Sequence, residues 1–480
     1  MNTTVAIRAR AAASGVCLFF FTALVSCGGD GVVGSGGTGS GNIGVSVGTV
    51  NGFGSVIVDG VAYDDLSAPV VAESAPGVDT PAEALLGERV SVAYAQAGVA
   101  SLIRILTALS GPVATAPANG RFMMLGQTVV INGAAASGPT TQLGGGYLHA
   151  SDIAAGDAVD VNGVLVQQGG TWVLVATRID KLATAPAYLR VTGVVAGLAS
   201  GSSVFTLGAL TVDAGGATLL PDASMLTNGR PVTVLAMPAS YVATGADAPR
   251  LQAAQVRIAT LEQSSLDDFL SGSISSLDTN ASAFLLGAQR VSYAGATFLP
   301  AGATPSNGDY VQVQGKVGSD GTLVATTVMV RDSETEDDSQ LSGNVAAFDS
   351  VAMSFTLRDV PVDASTATLA TCPAGGLANG LYVQVTGTLT SNGVVATSIR
   401  CSSEPAAGTV ERNGRAGAAD MGTQTFPLAS GQGAPLTVQW THTTFFGNGA
   451  APATLSGKQV EVVGSFVGTV LVATKVKADD

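Results

Sequence analysis

The sequence predicts an all-β protein, a tandem array of six small β-barrel domains behind an export signal and a flexible tether. Three observations lead there. Six copies of Gly-x-x-Val-x-Val run along the 480 residues, at Gly87 to Val92, Gly156 to Val161, Gly229 to Val234, Gly308 to Val313, Gly380 to Val385 and Gly457 to Val462. Successive glycines lie 69, 73, 79, 72 and 77 residues apart, and a fixed period of this kind marks a repeat architecture. Around each copy, apolar and polar residues alternate with period two, the pattern of half-buried strands.

The N-terminus sets where the chain goes. Arg8 and Arg10 precede an apolar run through Val16, Leu18, Phe19, Phe20, Phe21, Ala23, Leu24 and Val25. A basic segment followed by a short apolar one is a secretory signal peptide. The run falls short of the ~20 residues that span a bilayer. It ends in Leu24-Val25-Ser26-Cys27, which resembles the lipobox of bacterial lipoproteins. That resemblance implies that the Cys27 thiol takes a diacylglycerol, that the bond before it is cut, and that the new amine is acylated. Residue 28 is Gly, where in such lipoproteins an Asp signals inner-membrane retention. The resemblance therefore implies an outer-membrane anchor in a bacterial cell envelope, with the protein facing the periplasm or the surface. The alternative is an ordinary signal peptide with an unmodified Cys27. From Gly28 to Gly41 the chain is rich in Gly and Ser, the mark of a flexible tether, and the ~17 residues before the first strand reach ~23 Å.

The fifth repeat illustrates one unit. It opens with Gly343-Asn344-Val345, continues with Phe355-Thr356-Leu357 and Val360-Pro361-Val362, then Gly380 to Gly387, and closes with Val394 to Ile399. β-branched residues dominate these runs, as a pleated surface favours, and Gly, Asn, Asp and Ser punctuate the joints. The other repeats keep this order, the first most loosely, with Gly48, Phe53, Val56-Ile57-Val58 and Val90-Ser91-Val92. About five short strands per unit would leave bare sheet edges unless the sheet closes. The five-stranded OB fold is one such closed barrel, and the longer gap between the third and fourth strands suits it. A small sandwich, or an open sheet shared between neighbours, is the alternative. A domain this small buries only ~60% of its unfolded surface, so contacts between units would add stability.

The expected boundaries are a signal peptide at 1–26, the tether at 27–44, β-repeats at 45–107, 108–183, 188–260 and 268–332, an acidic linker at 333–339, and β-repeats at 340–402 and 406–480. The six-fold pattern resembles the bacterial domain-of-unknown-function family five-six-six-six, whose repeats occur in exported lipoproteins. The resemblance spans about Val45 to Ala478 and is clearest in the last four units. It implies a fold and no activity, because the motifs are structural.

Composition narrows the partners. Removing residues 1–26 takes away Arg8 and Arg10 and no acid, so the net charge moves from −14 to −16. An acidic surface repels phosphate backbones, which disfavours nucleic acid. With Cys17 in the signal and Cys27 at the lipid site, Cys372 and Cys401 remain, 29 residues apart. An exported chain meets an oxidising compartment, which favours a disulfide between them. Free thiols or a soft metal site are the alternatives. The linker tract Asp332 to Ser339 carries five carboxylates and reads as a solvated connector, with a weak Ca²⁺ site as the other reading.

Chemistry-bearing motifs are sparse. Gly44-Val45-Ser46-Val47-Gly48 matches Gly-x-Ser-x-Gly, yet strand and turn follow Ser46 where a hydrolase needs a helix. His149 and His442 fall in different repeats, without the clustering a zinc site needs. No catalytic, cofactor or metal residues are therefore expected. Trp440, Phe445 and Phe446 form the one dense aromatic cluster and are the candidate ligand contact. They are equally the natural packing site of the last unit. The leading expectation is a non-enzymatic, lipid-anchored envelope scaffold or binding module, with the membrane as its partner through the lipid and an envelope protein or glycan as a further one. A glycan or small-molecule binder using the aromatic pocket is the alternative, and an enzyme of unknown type comes third.

Overall fold

The computed structural model describes residues 43–480 except 66–67, 96–97, 134–136, 244–247, 262, 265, 332–337, 403–409, 430–434, 448–449, 468–469 and 479–480. The signal peptide, Cys27, nearly all of the tether and most of the acidic linker lie outside the described residues. Those described are strands, turns and four short 3-10 segments. None of their helices is long and apolar enough to cross a membrane.

The six motif copies occupy one structural position. Every motif glycine has a positive φ, between 81° and 98°, a region where an L side chain is strained. Each sits in the turn that feeds a strand two residues later. Its N–H donates to a carbonyl on the first strand of its unit or one residue past it: Gly87 to Val50, Gly156 to Val113, Gly229 to Val195, Gly308 to Ile274, Gly380 to Val345 and Gly457 to Ala416, all at 2.7–2.9 Å. The same residue donates back to the carbonyl of the residue after the glycine, as Val50 does to Glu88 and Val345 to Leu381. The two valines that follow point inward. All twelve are 0–1% exposed, and each contributes roughly 1.5–3 kcal/mol of burial. The motif is thus a turn that pins one strand to another, followed by two core anchors.

Pairing then makes a ring of strands. In the fourth unit, Asp268–Asp278 pairs antiparallel with Ala283–Leu286 and with Tyr310–Val317. Ala283–Leu286 continues to Gln289–Ser292. Leu323–Arg331 completes the circuit, running parallel to Gln289–Ser292 and Thr297–Leu299 and antiparallel to Tyr310–Val317. In the sixth unit the corresponding strands, Val410–Ala416, Thr425–Ala429, Leu436–Gly447, Gln459–Val467 and Val470–Ala478, close into a barrel. In the third unit the last strand is split into Arg250–Gln252 and Gln255–Ile258.

A second glycine separates the units into two kinds. Two residues past the motif stand Gly163, Gly315, Gly387 and Gly464 in the second, fourth, fifth and sixth units. Each marks a register shift in the long hairpin between the last two strands, the signature of a β-bulge. A Cβ there would collide with the facing carbonyl oxygen, that of Val175, Val324, Val395 or Val472. The first and third units carry Tyr94 and Ala236 instead, and there the strands Arg89–Tyr94 and Pro231–Ala236 stop.

The six units of the expected tandem array do not all stand as discrete barrels. Cores are shared between repeats: the first and fifth, distant in sequence, form one apolar cluster, and the adjacent second and third form another. Val47 of the first unit joins the core of the fourth. The first unit is the hub. Its strand Gly44–Phe53 runs parallel to Asp268–Asp278 of the fourth and to Asp338–Asn344 of the fifth. Arg178 of the second donates to the Leu86 carbonyl, Arg190 and Arg257 of the third pair with Glu73, and Arg412 of the sixth bonds Ser55. The physical reason is size, since units this small gain burial by covering one another.

Candidate functional site

An arginine-rich junction lies where the first four units meet. Its centre is a cavity of about 180 Å³. Five arginines line it (Arg89, Arg104, Arg190, Arg230 and Arg257), with Glu73 as the lining carboxylate. Strand alternation puts three of them there. Arg104 stands between Ile103 and Ile105, Arg190 between Leu189 and Val191, and Arg257 between Val256 and Ile258, and those neighbours are core residues. These three arginines therefore project from the outer faces of their strands, which a neighbouring unit covers.

Glu73, on Val70–Ala75 of the first unit, receives two cations. Arg190 Nη2 meets Oε2 at 2.7 Å, and Arg257 Nη2 meets Oε1. The Glu73 side chain is 4% exposed and that of Arg257 5%. Burial alone would raise the Glu73 pKa, but the charges of Arg190 and Arg257, with the Gly77 N–H, hold it below the ordinary value. Arg104 pairs with Asp79 at 2.6 Å. Arg89 donates to Thr49 and Tyr310 hydroxyls at 3.3 Å and to the Ser271 carbonyl at 2.9 Å. Tyr310 in turn donates to Asp59 at 3.1 Å, so this buried network ties the first unit to the fourth. Arg230 is exposed at the rim, with no ion pair among the described residues. Apolar side chains, including Leu106, Leu165, Leu261 and Leu270, complete the walls.

The residues singled out from sequence lie elsewhere. Trp440 is 5% exposed within the core of the sixth unit, with ring centroids 6.2 Å from Phe426 and 6.4 Å from Phe446. Phe446 is half-buried, and Phe445 is 59% exposed. The three rings accordingly do not form one open platform, because the indole fills the barrel interior. Cys372 and Cys401 are joined by a disulfide, with Cα atoms 4.7 Å apart. His149 and His442 are both exposed, in different units. Ser46 is buried in mid-strand, paired opposite Val92 and beside Phe269, so it stands on no exposed turn. No cluster of three or more metal-ligating side chains occurs among the described residues.

Comparison with known proteins adds the family. The model for the family described as "Domain of unknown function (DUF5666)" matches residues 110–180, 271–329, 342–400 and 420–477, just over half of the chain. The chain belongs to this family. The four DUF5666 matches fall on the second, fourth, fifth and sixth units, the four that carry the bulge glycine. No curated protein matches the chain. Among solved structures, the one titled "drosophila Unr CSD456" is 13% identical, with 44% of this chain and 96% of that chain covered and a TM-score of 0.12.

Proposed function

We propose that this DUF5666 protein is a lipid-anchored component of a bacterial cell envelope, held in the outer membrane through Cys27, that works as a non-enzymatic β-repeat binding scaffold. The observation that carries the reading is the convergence of the repeats on the first unit, which leaves an arginine-lined cavity between modules. We propose further that each ring of strands is an OB-like barrel. The strand order of the sixth unit, first, second, third, fifth, fourth, with a parallel third-to-fifth pair, supports that reading. The apolar run before Cys27 and the Gly/Ser tract after it support the anchor. The dispersal of Ser46, His149 and His442 supports a non-enzymatic role, and the net charge of −16 weighs against nucleic acid.

Intact-mass spectrometry of the mature protein tests the anchor. The expected N-terminal residue is Cys27 carrying a diacylglyceryl thioether and an acylated amine, with both lost in Cys27→Ala. A mature chain that starts elsewhere, or an unmodified Cys27, would overturn the anchor.

A further inference from the structure

We propose that the cavity between the first four units is a binding site for a small organic anion with a compact apolar body, of the size and charge of an aromatic carboxylate. The inference deepens the binding half of the reading above and is independent of the lipid anchor.

Charge is the first argument. Two arginines, Arg190 and Arg257, share the single carboxylate of Glu73. Arg104 has Asp79, whereas Arg89 is held by hydroxyls and a carbonyl. Arg230 has no ion pair among the described residues. One lining carboxylate, Glu73, thus faces five guanidinium groups, four of them buried or half-buried, inside a protein whose net charge is strongly negative. Burying cations without matching anions is costly, and a bound anion would relieve that cost.

Donor geometry is the second. A guanidinium carries five N–H donors in a rigid fork that suits a carboxylate. Arg190 and Arg257 each use Nη2 on Glu73. The Nε atoms of Arg257 and Arg104 are buried and have no hydrogen-bond partner. These two Nε atoms are closed off from the cavity itself, so an incoming carboxylate would accept from the guanidinium edges that open on it.

Size and wall chemistry are the third. A cavity of ~150 Å³ holds benzene, and this one is about 180 Å³, enough for a six-membered ring with one carboxylate. The leucine walls suit the ring and not a second charged group, which argues against inorganic phosphate. Exposed Arg230 at the rim would draw the anion toward the mouth.

The test is calorimetric titration of the full chain with benzoate, benzyl alcohol and inorganic phosphate near neutral pH. Two variants accompany it: Arg230→Gln at the exposed rim, and Ala288→Trp at a half-buried wall position. Benzoate is expected to bind with a Kd below about 1 mM, and benzyl alcohol at least about tenfold more weakly, because it lacks the charge. Phosphate should not compete. Ala288→Trp should abolish benzoate binding. Arg230→Gln should weaken it about threefold or more and flatten its salt dependence. The urea midpoint of each variant reports on folding, and if Ala288→Trp unfolds, the exposed Arg230→Gln decides. Equal affinity for benzyl alcohol, tighter binding of phosphate, benzoate binding unchanged in folded Ala288→Trp or in Arg230→Gln, or a benzoate Kd above about 1 mM would each overturn the site. Any of these outcomes beside an acylated Cys27 would sink the anion site and leave the envelope reading standing.

Discussion

Glu88 gives the sharpest test of the way the first and second units meet. It follows the motif glycine of the first unit, is 8% exposed, and accepts the Leu85 N–H at 2.9 Å. Burial pushes its carboxyl from 4.5 up to about 7, against the Leu85 hydrogen bond and the Arg178 charge, with Asp180 and Asp160 pushing the same way as burial. The sign follows from linkage. Between pH 4.5 and about 7 the folded state holds a proton that the unfolded state has released, so stability falls as pH rises through that window. At about 1.4 kcal/mol per pH unit, a displacement from 4.5 to about 7 corresponds to about 3 kcal/mol. Glu88→Gln keeps the acceptor for Leu85 and removes the titration. Urea denaturation of both proteins should give nearly equal midpoints around pH 4.5. The variant should then gain steadily, reaching an advantage of about 2–3 kcal/mol by pH 8. Asp268, which burial raises to about 6 against the Val45 N–H, titrates in both proteins and cancels in the difference. Parallel pH profiles would refute the burial of a protonated carboxyl at this junction.

Other expectations concern the joints between units and the hairpins within them. Glu73→Gln leaves Arg190 and Arg257 without their shared carboxylate and should cost about 3–5 kcal/mol; hydrogen exchange should then speed up in the third unit, and an unchanged exchange pattern would contradict the hub. Gly387→Ala drives a Cβ into the Val395 carbonyl and should destabilise by about 1–3 kcal/mol, whereas Ala236→Gly, at the matching position of the third unit, should cost no more than about 1 kcal/mol; thermal melts compare them. Replacing Cys372 and Cys401 by Ser opens a loop of 29 residues and should lower the stability of the fifth unit by about 3–4 kcal/mol, as followed by denaturation with and without reductant.

Much of the repeat architecture was legible because two local rules mark each unit. A turn at positive φ demands Gly, and two inward positions one strand-period apart demand valine. The loose match of the first unit also has a physical cause. As hub, its strand Arg89–Tyr94 is buried at all six residues, and it ends at Tyr94 where the matching units carry the bulge glycine and run on. The arginine cavity was not legible. Arg104, Arg190 and Arg257 each sit between two core residues, and alternation assigns such positions to an outer face without saying whether water or another unit covers it. Packing between distant repeats leaves no trace in local sequence. The aromatic site carried a readable warning: Leu436, Val438 and Trp440 form a period-two row, which places the indole on the same inward face as its neighbours.

Small-angle scattering from the mature chain tests the central claim, that the repeats fold onto the first unit and form one body. A compact chain of ~440 residues has a radius of gyration of ~22 Å, and six separate units in a line would give ~50 Å. A value near 22–25 Å is expected, with a modest addition from the tether. A value approaching 50 Å, with the profile of a string of beads, would contradict the shared cores and the hub.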